Sequence, residues 1–392
     1  MMKRQDVLNK IKSNPEVDVL IIGGGINGIG TFRDLALQGV NVLLVERGDF
    51  CSGSSSASSH MVHGGIRYLE NGEFRLVREA VNERNRMIRN LPHYVRPLAT
   101  TIPIFKWTSG LLNAPLKFLN LLNRPGERGA IVIKLGLMMY DAYTGSDGTV
   151  PKHTFKLRQA ALEKYPEINP DIVCTATYYD AAMPTPERIA IEVMVDGEQA
   201  GEQAQALNYV EAVGSAEQHI ILRDRLTDNE YSVQPKLVIN AAGPWIDFAN
   251  QALGKKTRFI GGTKGSHIVV NNPELFAATA GNEIFFENED GRIVLIYPSV
   301  DRVIVGTTDL YIDDPSQARC TEDEVDYFIE FVGRMFPDVP ITREQIVFRY
   351  SGVRPLPASD AKTAGQVSRD HENRIIISGD EFAFPIFNLI GG

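Results

Sequence analysis

The stretch "VDVLIIGGGINGIG", from Val17 to Gly30, decides the fold. It opens as an aliphatic, β-branched run of the kind that forms a strand buried on both faces. Gly23, Gly25 and Gly28 follow at G-x-G-x-x-G spacing. Gly23 permits a tight turn, Gly25 lets a pyrophosphate approach the backbone, and Gly28 lets helix and strand pack closely. The next segment, "TFRDLALQGV", has helical periodicity, and "NVLLVER" reads as a second strand closing on Glu46. This is one βαβ unit. Its helix N-terminus would face phosphates with free N–H groups and the positive end of its dipole. Glu46 lies where an acidic residue binds a ribose hydroxyl, and an acid at that position disfavours NADP.

The rest of the chain bounds the answer. It has 392 residues with 43% hydrophobic and 23% charged content, enough for two globular domains and too apolar for a disordered chain. The formal net charge of −9 argues against nucleic acid as a partner. Cys51, Cys174 and Cys320 are widely spaced, with no metal pattern and no disulfide framework, so a reducing, cytoplasmic setting is expected and no metal site. The N-terminal "MMKRQDVLNKIKSNPEVD" lacks an apolar signal region and reads as a short helix. No apolar run reaches the length of a membrane span.

Beyond the second strand lies "GDFCSGSSSASSHMVHGGIRYLENGEF", rich in Ser and Gly. The Ser run leads into "HGGIRYL", which favours a ligand-lining loop over a linker. "FRLVREAVNERNRMIRNL" is a charged helix closed by Pro92, and Leu111 to Leu122 is strongly apolar, read either as a core or interface helix or as an interfacial membrane contact. Thr185 and Pro186 open a helix, "RIVLIYPSVDRVIVGTTD" is a hairpin with its tip near Ser299 to Arg302, and Thr321 with Glu324 forms a capping box. The expected fold is α/β with α+β character: a Rossmann-like dinucleotide-binding domain (1–95, 150–255 and 340–392) with an inserted antiparallel-sheet substrate domain (96–149 and 256–339). Two features favour FAD over NAD. The Ser-rich loop suits a wrapped flavin dinucleotide, and "VINAAGPWID" ends a strand in a small-residue turn suited to a second backbone approach.

Taken in order, "IIGGGINGIG", "SGSSSASSHMVHGGIRYLENGEFRLVREAVNERN", "YYDAAMPTPERI", "VINAAGPWID", "KGSHIVV", "VGTTD", "YSGVRPL", "VSRDH" and "LIGG" resemble the FAD-dependent glycerol-3-phosphate dehydrogenases, within the glycine-oxidase and D-amino-acid-oxidase-like fold group. The set "HGGIRYL", "VGTTD" and "SGVRPL" carries most of the specificity. The resemblance implies FAD as cofactor and oxidation of sn-glycerol 3-phosphate to dihydroxyacetone phosphate, with electrons passed to a quinone or to oxygen. It implies peripheral contact with the inner face of the cell membrane through 111–122, and a homodimer is the expected assembly.

Site residues follow from the same motifs. A phosphate monoester needs cationic forks. Arg354 and Arg369 match the family's phosphate-binding positions, with Arg354 also counted among the catalytic residues, and Arg67 is a third contact beside Tyr68. His63 is the first choice for the base that takes the C2 hydroxyl proton and His267 the second, since a neutral imidazole accepts a proton near pH 7. Lys264 would support the flavin or substrate electrostatically, and Thr307, Thr308 and Asp309 either line the site or form a hairpin turn. Cofactor contacts are expected from Gly23, Gly25, Asn27 and Gly28, from Glu46 and Arg47, and from Ser54, Ser55, Ser58 and Ser59. Further contacts are expected from Gly64 and Gly65 packing against the flavin, from Val213, from Ala242 and Gly243, and from Gly391 and Gly392.

The chain also departs from the family. His60 stands where the family more often has Lys, which alters the positive field near the flavin. "AAMPTPERI" replaces an Asp-Asp-Ala-Arg stretch. The family continues after Gly-Gly with Lys, Thr-Thr and a C-terminal helical domain, so a truncated, catalytically impaired fragment is one alternative reading. Another is an FAD-dependent oxidase or dehydrogenase of a different 2-hydroxy acid or amine. Two phosphate-ready arginines favour the phosphoester, because a carboxylate substrate could use one.

Overall fold

The aliphatic run that precedes the glycines becomes the centre of a sheet. The computed structural model describes residues 3–109, 128–144, 148–359, 370–377, 379 and 384–391, and for residues 67, 70 and 71 the backbone only. Strand Glu16–Ile22 pairs in parallel with Val42–Val45 on one side and with Glu230–Asn240 on the other. Val42–Val45 continues to Ala204–Leu207, and Glu230–Asn240 to Ile386–Ile390, both in parallel. Strand Glu372–Ile376 closes one edge antiparallel. A strand with neighbours on both edges has no polar backbone left over, so its side chains can all be apolar. Leu20 and Ile22 enter one core and Val19 and Ile21 the other. Each buried aliphatic side chain contributes about 1.5–3 kcal/mol.

The second sheet is mostly antiparallel. Strands Thr263–Val270, Arg302–Gly306, Ile293–Ser299, Glu283–Glu287, Arg96–Ile104 and Cys174–Ala182 lie side by side, and Ile346–Arg354 adds to the Thr263–Val270 edge. One face is covered by helices Pro273–Ala278 and Glu322–Met335 over a core that includes Ile268, Val305, Phe328 and Phe331. The other face carries Leu98, Tyr297, Ile304 and Tyr350. The hairpin turns where expected, with Ser299 opposite Arg302. The capping box of Thr321 and Glu324 is formed, and Thr185 and Pro186 open helix Pro186–Gln199, which packs on helix Ile26–Leu37.

The expected boundaries need correction. Thr154–Leu157, Cys174–Ala182 and Ile346–Arg354 were assigned to the dinucleotide-binding segments but pair within the second sheet. Long-range pairing decides this: Ile346–Arg354 finds its partner in Thr263–Val270, which sets Arg354 opposite Thr263. Among the described residues no helix is long and apolar enough to cross a membrane. The apolar segment 111–122, Arg369 and Gly392 lie outside the described residues, as does the side chain of Arg67.

Candidate active site

The glycine turn is built backbone against backbone. Gly23 has φ +111°, and a Cβ there would sit 2.5 Å from the Ala241 carbonyl oxygen. At Gly28 a Cβ would sit 1.9 Å from the Gly23 carbonyl oxygen. Strand Glu16–Ile22 sends its chain one way across the sheet and Glu230–Asn240 lies on its other side. The crevice between them is the topological switch point, where open α/β sheets bind ligands. The Ala241–Gly243 turn meets Gly23 there, backbone against backbone. Ala242 is fixed by donating its N–H to Asn240 Oδ1 at 3.2 Å, and Gly243 takes φ +56°.

Helix Ile26–Leu37 opens into this crevice without a side-chain cap from Gly25. The Ile26 N–H instead donates to Ser55 Oγ at 2.9 Å, which puts the Ser-rich loop over the helix N-terminus, where negative charge is favoured. Asn27 Nδ2 donates to the Gly391 carbonyl at 2.9 Å, so the far end of the chain reaches the same helix turn. Glu46 accepts from the Gly24 N–H at 2.7 Å and the Gly48 N–H at 2.8 Å. These two donors orient the carboxylate and leave it lone pairs for ribose hydroxyls. Val210 donates its N–H to the Glu46 carbonyl, and Val213 is the extra residue of a bulge in the strand that follows. Arg47 spends its guanidinium on the Trp245 ring, 4.6 Å from its centroid. A cradle that any Cβ would block, a helix N-terminus opening into the crevice and an oriented carboxylate fit the dinucleotide half of FAD.

The Ser-rich loop ties this crevice to the second sheet. Ser54 Oγ donates to the Val353 carbonyl at 2.6 Å, the Ser58 carbonyl accepts from Tyr350 Oη at 3.1 Å, and Ser59 Oγ bonds His267 Nε2 at 2.9 Å. A cleft of 540 Å³ runs between the loop and the strand, lined by His60, Glu187, Trp245 and Tyr350 among others. His267 is buried and stacked on Tyr350, with centroids 4.8 Å apart and planes 9° from parallel. Burial first, then Arg354 and His60, pull its pKa down to about 3, so it is neutral at physiological pH. His60 lies 6.1 Å from the Tyr350 ring. Its place in this cluster was visible in the sequence only as a departure from the family.

Arg354 reaches over Gly265, where a Cβ would sit 2.5 Å from its guanidinium. It is held by Asp309 Oδ1 at 3.1 Å, the Thr307 hydroxyl at 3.3 Å and the Thr308 carbonyl at 3.3 Å, and it keeps 27% of its side-chain surface exposed. The "VGTTD" turn is therefore the cradle of this arginine. Lys264 is different. It is buried and donates to Glu324 Oε2 at 2.7 Å and the Arg319 carbonyl at 2.8 Å. The electrostatic role toward flavin or substrate expected of Lys264 is corrected: its charge is spent on Glu324, behind the sheet.

Gly64 and Gly65 also stand where protein leaves no room for a side chain. A Cβ at Gly64 would sit 2.0 Å from Tyr140 Oη, and one at Gly65 would sit 2.3 Å from the Tyr68 ring. These glycines are required by protein packing at the turn after His63. His63 itself is exposed, its ring edge-on to Tyr68 with centroids 5.9 Å apart. Two buried features had no signal in the sequence: Arg84 paired with Asp180, and Glu283, whose carboxyl is pushed up to about 8, chiefly by burial. Their partners are too distant in the chain for any spacing rule to connect them.

Comparison with known proteins agrees with this geometry. A glycerol-3-phosphate dehydrogenase of Synechocystis is 36% identical over 383 residues, covering 91% of this chain and 64% of the relative. The structure of glycerol-3-phosphate dehydrogenase from Bacillus halodurans complexed with FAD superposes with a TM-score of 0.70 at 24% identity, covering all of this chain and 64% of that one. L-alpha-glycerophosphate oxidase from Mycoplasma pneumoniae with FAD bound gives 0.67 at 18% identity, covering 96% of this chain and 89% of that one. The chain thus spans about 64% of the length of the first two. Residues 18–381 match the family described as FAD dependent oxidoreductase, and the chain belongs to that family.

Proposed function

We propose that this chain carries the cofactor and substrate sites of an FAD-dependent enzyme that oxidises sn-glycerol 3-phosphate to dihydroxyacetone phosphate. The observation that carries the reading is Arg354: a partly exposed guanidinium, aimed by Asp309 and Thr307 beside a neutral buried histidine and the Ser-rich loop. A planar guanidinium fork held in one orientation matches the geometry of a phosphate monoester. FAD, when bound, supplies the two-electron acceptor for hydride from C2.

The protein's residues do the rest. Glu46 and the glycine turn hold the dinucleotide, and Arg354 holds the phosphate, with Arg369 and Arg67 as further candidates. His63, exposed on the turn after strand Met61–Val62, takes the C2 hydroxyl proton. His267 is a poor base with a pKa of about 3, because a general base works best near the operating pH. Its role is to anchor Ser59 and stack on Tyr350. Dinucleotide binding falls to the segments that form the parallel sheet, and substrate binding to those of the second sheet.

Electrons leave to a quinone, with oxygen as the other acceptor, and contact with the inner face of the cell membrane is expected of 111–122. Next to that segment, helix Ala130–Thr144 exposes Ile131, Leu135 and Met138, which supports an apolar contact there. The decisive experiment is anaerobic titration of the FAD-loaded protein with glycerol 3-phosphate, read as flavin bleaching. Bleaching by a 2-hydroxy acid or amine and none by glycerol 3-phosphate would replace this reading with the other oxidase reading.

A further inference from the structure

Three donors converge on one buried carboxylate oxygen beneath the His63 turn. Asp180 Oδ1 accepts from the Gly64 N–H at 2.8 Å, from Tyr140 Oη at 2.6 Å and from Arg84 Nη1 at 3.1 Å. Arg84 is fully buried on helix Phe74–Asn90, where it also donates to the Tyr179 carbonyl at 2.9 Å and to Asn85 Oδ1 at 2.9 Å. Burial first, and then the Asp180 charge, raise the Tyr140 pKa well above its ordinary value, so its hydroxyl stays a donor.

The register explains what this cluster holds. Met61 pairs with Ala182 and Val62 with Ala181, so the next rung would set His63 opposite Asp180. The Asp180 side chain takes the Gly64 amide instead. The chain leaves the sheet there, passes through Gly65 at φ +75° and enters the short helix Ile66–Asn71. Three fixed points therefore bracket the turn: the strand before it, the carboxylate under it and the Tyr140 hydroxyl against Gly64. The turn carries His63 on one side and Arg67 and Tyr68 on the other.

We propose that Asp180, held by Arg84 and Tyr140, is a positioning residue for the reaction: it acts through His63 by fixing the Gly64 amide, and touches neither substrate nor cofactor. This rests on the proposed role of His63. A carboxylate that served only the fold would not need to bond the residue after the base, and its loss would affect every step alike.

The test is a double-mutant cycle in the FAD-loaded protein, read as the rate of anaerobic flavin reduction by glycerol 3-phosphate. Asp180→Asn is expected to slow reduction about 30-fold with FAD retained and the substrate KM within threefold. Added to His63→Ala it should cost less than threefold more, because both changes remove one function. Hydrogen exchange over residues 61–68 should rise in Asp180→Asn while exchange in the parallel sheet stays unchanged; this readout needs no turnover. Losses that multiply, or exchange that does not change around Gly64, overturn the proposal. If Asp180→Asn does not fold, Tyr140→Phe takes its place, with an expected three- to tenfold loss and the same non-additivity. Full activity of His63→Ala would sink the His63 assignment, and no bleaching of the unmodified protein would sink the substrate; the exchange result still decides whether Asp180 holds the turn.

Discussion

Lys264 and Arg354 sit on paired strands one register step apart: Arg354 stands opposite Thr263, and Lys264 opposite Val353. Because side chains alternate across a strand, that single step sends the two cations to opposite faces of the sheet. Lys264 goes behind, into a buried pair with Glu324, whose pKa is lowered because the bonds from Lys264, Thr308 and Thr321 outweigh its burial. Arg354 goes in front, partly exposed over Gly265, with contacts of 3.1 to 3.3 Å. A cation paired inside the fold holds the fold, and one that reaches the cleft surface can meet a ligand.

That contrast can be broken from either side. Lys264→Ala leaves Glu324 buried without its counter-ion, which costs about 3–5 kcal/mol of stability. A chemical denaturation curve should show the loss, while the substrate KM of the folded fraction stays within threefold. Arg354→Ala should do the reverse. Losing one charge-assisted phosphate contact costs about 2–4 kcal/mol in kcat/KM. Stability should change by less than about 1 kcal/mol, since the Arg354–Asp309 pair is partly solvated. An Arg354→Ala protein that melts early but keeps its KM would invert the assignment of the two faces.

The sequence made the glycine turn and the helix cap readable for different reasons. Gly23 and Gly28 are dictated by backbone atoms within 3 Å of where a Cβ would stand, so residue type alone reports the geometry. Thr321 and Glu324 are three residues apart, and a local hydrogen-bond rule finds them. Glu324 is 60 residues from Lys264, and Asp180 is 96 from Arg84, so only tertiary pairing brings each couple together. For the same reason Lys264 looked like a site cation, and "YSGVRPL" looked like part of the dinucleotide-binding domain.

The front face offers a second contrast, between two buried groups that lack full partners. Among the described residues, neither His267 Nδ1 nor Glu283 Oε1 has a hydrogen-bond partner. Burial holds each of them neutral, but the pH slopes are opposite. The folded His267 pKa of about 3 lies below its ordinary 6.5, so the unfolded chain binds more protons between those values. Its contribution is complete above about pH 6.5 and is lost as pH falls, by about 3 kcal/mol at pH 4. The folded Glu283 pKa of about 8 lies above its ordinary 4.5, so its contribution is complete below about pH 4.5 and is lost as pH rises through 8. Denaturation midpoints measured from pH 4 to 9 should flatten on the acid side in His267→Gln and on the alkaline side in Glu283→Gln. Parallel curves for either variant and the unmodified protein would show that the group titrates normally.

The smallest effect belongs to Thr321, and it separates the two jobs of Glu324. Thr321 Oγ1 donates to Glu324 Oε2 at 3.1 Å, and the Thr321 N–H donates to the same oxygen at 2.8 Å. That oxygen also receives Lys264, while Oε1 receives the Thr308 hydroxyl at 2.6 Å. Thr321→Ala removes the hydroxyl cap and leaves the backbone donor, Lys264 and Thr308 in place. It should cost about 1 kcal/mol, the usual worth of an N-cap. The Lys264 pair then survives, Thr308 stays fixed, and the Arg354 cradle with it, so the substrate KM should not move. If Thr321→Ala raises the KM as Arg354→Ala does, the cap on the back of the sheet is mechanically coupled to the arginine on the front through Thr308, and the two faces are not independent.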